Sequence, residues 1–307
     1  MSANFWIVAQ QVFILFLMIL TGYICTKLKF FSDQGIKDLT KFILHIVIPC
    51  VIINSFHRQY DDTMMKGLLL SLLAAVIAHL LNIAVAHIFI RDKDQARRAV
   101  LQFGLVFSNC GYMALPLQNA LLGADGVFFG AAYNAIYNIF NWTYGLVIMN
   151  PAKKMKLKKV LLNPGIIGVF LGLIFFLTPL KLPKIILSPV QGFAALNTPL
   201  PMVVIGYYLC QITSFAVLKD KMLSFSVFLR LIFLPLLTVL VLYLCSFRGN
   251  VLLSAIISAA APSGANTVMF SVMYGRDSRL AVTMVSITTF FSIITMPLIV
   301  ALTMNIM

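Results

Sequence analysis

The chain has 307 residues, 61% of them apolar and 10% charged, with a mean hydropathy of +0.98, which excludes an ordinary water-soluble core and indicates an integral membrane protein. Lys and Arg number 23 against nine acids, for a formal net charge of +14. Every acid is Asp, so glutamate-based acid–base chemistry is excluded, and the basic residues fall between hydrophobic runs rather than on one continuous face, which argues against a nucleic-acid surface.

A helix rising ~1.5 Å per residue needs about 20 apolar residues to cross a hydrocarbon core of ~30 Å. The sequence predicts ten such spans, over residues 4–25, 36–56, 67–90, 99–122, 127–149, 164–179, 196–214, 223–246, 251–273 and 280–304. The first has neither a basic leader nor a small-residue cleavage pattern, so it reads as a retained helix. The sixth is short, and residues 182–194 read either as an interfacial segment or as an extension of the seventh. With the N-terminus outside, 18 of the 23 basic residues lie on the cytoplasmic side, among them Arg97, Lys153, Lys159, Lys219 and Arg230. Positive charge is retained there, so both termini face away from the cytoplasm, in a plasma or inner membrane.

The basic stretch from Lys153 to Lys159 divides the chain almost evenly. Residues 1–149 form a first five-helix repeat, 150–163 a basic cytoplasmic linker and 164–307 a second five-helix repeat. An odd number of spans per half makes the second half enter the membrane from the opposite side, an inverted repeat. Gly111 and Gly264 stand 153 positions apart, and Pro49 and Pro201 stand 152 apart, in keeping with that register.

Spans four and nine carry polar, helix-breaking centres. The fourth contains Ser108, Asn109, Cys110 and Gly111 with Pro116 beyond; the ninth contains Pro262, Ser263, Gly264, Asn266 and Thr267. Asn109 and Pro262 each lie roughly 10 residues into their span, about 15 Å deep and near the bilayer midplane. Proline removes a backbone donor, and glycine favours non-helical backbone, so Pro116 and Pro262 are the expected hinges of two interrupted helices. Free backbone groups cannot face lipid and must line a wet cavity or be buried in protein. The half-helix N-termini, expected near Met113 to Gln118 and Ala265 to Val268, suit an anionic group. The alternative is a pair of ordinary kinks with Ser and Asn closing local bonds; two breaks at matching depth favour a binding site.

The segment Ser108-Asn109-Cys110-Gly111-Tyr112-Met113-Ala114-Leu115-Pro116-Leu117 resembles the Ser-Asn-Thr-Gly-Phe-x-Gly-x-Pro-Leu signature of the auxin efflux carrier family. The likeness continues through Gly123 to Gly126, Tyr133 to Asn138 and Trp142 to Gly145, and again from Ala261 to Asn266 and Thr295 to Leu298. That family includes plant PIN auxin exporters and bacterial members associated with malonate or malate. The resemblance implies an all-α integral membrane fold of ten transmembrane helices in two inverted five-helix repeats, with broken helices 4 and 9 crossing. This is the PIN-, bile-acid-symporter- and NhaA-like architecture. It also implies a scaffold of helices 1, 2, 6 and 7, a homodimer through that scaffold and elevator-type alternating access. Asn109 is then expected to contact substrate; Cys110 departs from the common Thr. The short central connector differs from the large loop of plant PIN proteins.

His79, near mid-depth in span three, reads as a structural hydrogen-bonding group, with proton coupling as the alternative. His45 and His87 read as structural. Asn134, Asn138 and Asn141 recur on one helical face of span five and either line the cavity or tie helices together. Asn54 reads as a gate or a cap, Asn197 and Thr198 as part of a kink before Pro199 and Pro201, and Asp125 as a cap at the turn beginning at Gly123. Phe128, Phe129, Tyr133, Tyr137 and Trp142 read as packing or lipid-facing groups. The five cysteines read as small apolar side chains, and no Cys/His metal spacing occurs. All nine Asp fall at helix ends or in loops. The expected function is secondary active transport of a small organic anion, a mono- or dicarboxylate or auxin-like acid, with no resident cofactor. A proton or sodium ion remains a candidate coupling ion, the latter held by carbonyls, Asn and Ser. The alternatives are a coupled symporter or antiporter of another solute, or a membrane-embedded sensor.

Overall fold

The computed structural model describes residues 2–150, 164–178, 180–210 and 220–306. The basic stretch at 153–159 and Lys219 lie outside the described residues. Those described are helical apart from turns and one isolated antiparallel bridge between Ser108 and Ser263. Along the chain we number α1 (Ser2–Lys27), α2 (Asp33–Phe56), α3 (Asp62–Phe89), α4 (Gln95–Val106), α5 (Leu115–Phe140), α6 (Pro164–Leu177), α7 (Lys184–Ala195), α8 (Pro199–Cys210), α9 (Lys221–Leu244), α10 (Gly249–Ala260), α11 (Asn266–Met273) and α12 (Ser278–Ile306). Asp33–Phe56, Asp62–Phe89, Lys184–Cys210, Lys221–Leu244 and Ser278–Ile306 are each long and apolar enough to span a bilayer. The chain is a multi-pass membrane protein.

Local chemistry explains the ends. Asp61, Asp94 and Asp220 accept N–H bonds from the first turns of α3, α4 and α9, satisfying donors that a helix cannot pair internally. At Gly123 the backbone takes φ 60, a left-handed conformation that favours glycine, and folds α5 into two arms. Asp125, expected as a cap there, accepts instead from the Arg58 guanidinium at 2.6 Å. Within residues 182–194, α7 starts at Lys184 and joins α8 through a single turn at 196–198, giving a run, Lys184–Cys210, long and apolar enough to cross a bilayer.

The helices pack through small residues, as lipid-embedded helices do. A Cβ at Gly22 would collide with the backbone of Val203, and one at Gly206 with the backbone of Ile19 to Tyr23, so α1 and α8 touch backbone to backbone. Gly168 and Gly172 seat α6 against Pro49, Ile52 and Phe56 of α2. A second group brings α3, α4, α5, α9, α10 and α12 together. Gly67 of α3 lies under Phe129 of α5, Gly104 of α4 under Met284 of α12, and buried Gln118 of α5 donates to the Ser254 carbonyl and Ser258 hydroxyl of α10, both at 2.8 Å. Large apolar side chains such as Leu69, Leu73 and Ile88 of α3 point outward, as a lipid-facing surface requires.

One charge assignment is overturned. Arg230 belongs to no cytoplasmic surface: it sits inside α9 at a π-helical turn, Leu229–Phe233, and is 0% exposed. Counting basic residues between spans mistook an internal guanidinium for a flanking one.

Candidate functional site

Both expected interruptions are present. Helix α4 stops at Val106, Phe107 is extended, and helical structure resumes at Cys110 in a π turn, Cys110–Ala114, leading into α5. Helix α10 stops at Ala260, Ala261 is extended, and α11 begins at Asn266. The N-terminus in the first break therefore lies at Cys110, several residues before the expected Met113. Pro116 lies six residues past Cys110 within the continuous π–α stretch, where the helix forgoes one backbone hydrogen bond, rather than at the interruption.

The broken stretches pair with each other. The Asn109 N–H donates to the Pro262 carbonyl at 2.7 Å, and the Gly264 N–H donates to the Phe107 carbonyl at 2.8 Å. Gly264 is required by this approach, since a Cβ would stand 2.9 Å from the Ser108 carbonyl oxygen. Thus polar backbone that would be intolerable in hydrocarbon is satisfied reciprocally.

The carbonyls that end α4 and α10 are also met. Arg230 donates to Leu105 O (3.0 Å), Ala259 O (2.7 Å) and Ala261 O (2.6 and 3.2 Å). Ser263 Oγ donates to Gly104 O at 2.8 Å and Asn82 Nδ2 to Val106 O at 3.1 Å. The positive guanidinium faces the negative ends of two helix dipoles. Sequence reasoning missed this role, although an Arg well inside an apolar span is itself the signal for one.

The two N-terminal ends border a cavity of about 220 Å³. Of the residues singled out in the sequence, Ser108, Asn109, Gly111, Asn134, Asn138, Gly264 and Asn266 line it. Asn109 Oδ1 accepts from the Tyr112 N–H at 3.3 Å, Asn138 Nδ2 donates to Asn134 Oδ1 at 3.2 Å, and Asn266 Nδ2 donates to the Tyr137 hydroxyl at 3.1 Å. Cys110 is buried behind this wall, its thiol 3.8 Å from Asn134 Oδ1. Ser263 faces α4, while Pro262 meets the chain through its carbonyl and Thr267 is buried.

His79 stands apart from the cavity, while other residues fall differently from their expected places. His79 is fully buried, its Nδ1 2.7 Å from the Ala75 carbonyl, and is stacked on Phe140 with Tyr133 beside it; it does not line the cavity. His45 does line it, as do Tyr137 and Trp142. Asn141, the first residue of a π turn, Asn141–Gly145, does not join Asn134 and Asn138 in lining the cavity and is wholly buried. A second hollow of about 570 Å³ shares Asn109, Tyr112 and Asn266 with the first and reaches Lys37 and Lys41 at its edge. The walls thus combine donors at helix N-termini, side-chain amides and an apolar strip of Leu44, Ile48, Trp142 and Met269, suited to a small anion with an apolar body. Among the described residues no cluster of His, Cys or Asp has metal-binding geometry.

A family model described as membrane transport protein matches residues 7–300. An uncharacterized transporter of Methanocaldococcus jannaschii is similar to this chain, 23% identical over 312 aligned positions that cover 94% of the chain and 96% of the relative.

Proposed function

Because the chain belongs to the membrane transport protein family, that of the auxin efflux carriers, and is a transporter rather than an enzyme, we propose that it carries a small organic anion by alternating access. The observation that carries this reading is the cavity beside the Ser108–Ser263 bridge, bordered by the N-terminal ends of two interrupted helices. Unpaired N–H donors at such ends stabilise a carboxylate without a full counter-charge, so the anion can still leave. Asn109, Asn134, Asn138 and Asn266 orient the carboxylate, and the strip containing Trp142 and Met269 holds the carbon skeleton. A mono- or dicarboxylate of malonate or malate size suits the volume.

In this reading the halves 1–149 and 164–307 are inverted repeats, the fourth and ninth spans cross at their breaks, and both termini face outside. Supporting it, the two breaks recur at Asn109 and Pro262, 153 positions apart. Supporting an elevator movement, α1, α2, α6 and α8 pack through close glycine contacts of their own, whereas Gln118, Arg230 and Ser263 bind α4, α5, α9 and α10 into another unit. The first group is the scaffold and dimer face, and the second the moving part.

The test is uptake of labelled malonate and malate into proteoliposomes. Wild-type uptake is expected to saturate, and Asn109→Ala to lower it about tenfold or more with thermal stability within a few degrees, in line with loss of a charge-assisted contact of ~1.5–3 kcal/mol. Neutral amide analogues should compete poorly. Unaltered flux in the variant removes Asn109 from the site, and equal competition by the amides refutes the electrostatic part.

A further inference from the structure

The deepest charge in the described protein is Arg230, and its environment is unusual. All its hydrogen bonds go to backbone carbonyls, and these belong to the C-terminal ends of both interrupted helices, α4 and α10. The side chain is 0% exposed, and none of the described ion pairs includes it. A buried guanidinium without a carboxylate is costly unless its surroundings supply negative potential. Here that potential comes from converging carbonyl dipoles at two helix ends. A set of inward-facing carbonyls at broken helices is the environment in which a membrane carrier can bind an alkali cation.

We propose that Arg230 is a built-in cation: its guanidinium permanently holds the position that a bound metal cation would take between the broken ends of α4 and α10. Two consequences follow. The two broken helices are tied to α9 in every state of the cycle, since the tether is covalent to α9 and makes four bonds across the break. And no sodium ion is needed at these carbonyls for the opposite, N-terminal ends to present their donors to an anion. The planar fork of donors is what allows one residue to reach Leu105, Ala259 and Ala261 together, which the three donors of a Lys on a single nitrogen match less well. The first consequence stands on the geometry alone; the second rests on the anion-transport reading above.

The experiment measures melting of the purified full-length protein, and malonate uptake in proteoliposomes, in sodium, potassium or choline chloride at equal ionic strength. Wild-type melting and uptake are expected to be the same in all three salts. Arg230→Ala is expected to melt about 10 °C lower, given the usual cost of stripping one partner from a buried charged cluster. A few millimolar guanidinium chloride should recover part of that loss, with equimolar urea without effect, and Arg230→Lys should fall between the two. Arg230→Ala melting as the wild type does, or a loss that guanidinium leaves untouched, overturns the built-in cation. Should Arg230→Ala fail to accumulate, the wild type still decides: a saturable sodium dependence of its melting or uptake overturns the proposal, and equality across salts supports it. Melting is read without substrate, so absence of malonate uptake would count against the transport reading and leave the stability comparison intact.

Discussion

The seam between the two broken stretches makes a quantitative demand on Gly264. Adding a methyl group there places carbon 2.9 Å from the Ser108 carbonyl oxygen, 3.2 Å from the Tyr137 hydroxyl and 3.3 Å from the Phe107 carbonyl oxygen. Two of these neighbours are backbone and belong to the bridge itself, so relief requires the stretches to separate. Overpacking of this kind costs ~1–3 kcal/mol, and weakening the Gly264–Phe107 hydrogen bond adds ~1 kcal/mol. At ~2–4 °C per kcal/mol, Gly264→Ala should lower the melting temperature by about 4–16 °C. Gly111 is the internal control, because a Cβ there meets only Asn134 Nδ2 at 3.4 Å and Ile48 Cδ1 at 3.8 Å, ordinary contact distances. Gly111→Ala should melt within ~2 °C of wild type on the same scale. The assay is thermal unfolding in detergent followed by intrinsic tryptophan fluorescence. Equal melting of the two variants would refute the claim that the breaks are locked through backbone contact at Gly264.

Away from the membrane interior, Asp220 accepts from Arg97 and caps α9. Burial pushes its carboxyl up, but the Leu223 N–H and the Arg97 guanidinium outweigh that and hold it below the usual carboxylate value. Its stabilising contribution is therefore complete above the unfolded value of ~3.9 and is lost as pH falls through the lower folded value. Asp220→Asn keeps the cap, so it should cost only about 1 kcal/mol at pH 7, with the gap from wild type closing below about pH 4 in pH-dependent melting curves. Lys37 and Lys41 edge the larger hollow, and Lys41 is largely exposed beside Asp38. The double variant Lys37→Gln, Lys41→Gln should slow malonate uptake about tenfold or less at low salt and leave it unchanged at 1 M salt, where screening is short-ranged. A salt-independent defect would mean that the lysines act by contact rather than by attraction.

How much of this was legible beforehand depends on the range of the interaction involved. The interruptions at Asn109 and Pro262 are marked by residues whose own backbone preferences break helices, so local chemistry reveals them. The N-terminus at Cys110 was displaced from its expected place because a π turn, rather than Pro116, restarts the helix. Asn141 is wholly buried instead of lining the cavity with Asn134 and Asn138, and helical spacing alone does not tell how far along a face the cavity extends. The cavity walls at His45, Tyr137 and Trp142 depend on how distant helices meet, which single-span reasoning does not contain. Arg230 was legible but misread: its position inside an apolar stretch outweighs any tally of flanking charge.

The tether at Arg230 also bears on biogenesis. Leu105 is made 125 residues before Arg230, and Gly104 is made 159 residues before Ser263. At ~5–20 residues per second, the end of α4 waits roughly 6–30 s for its partners to emerge from the ribosome. During that interval its carbonyls need water or the insertion machinery as a temporary host, so the amino-terminal half should dwell at the translocon until the carboxy-terminal half joins it.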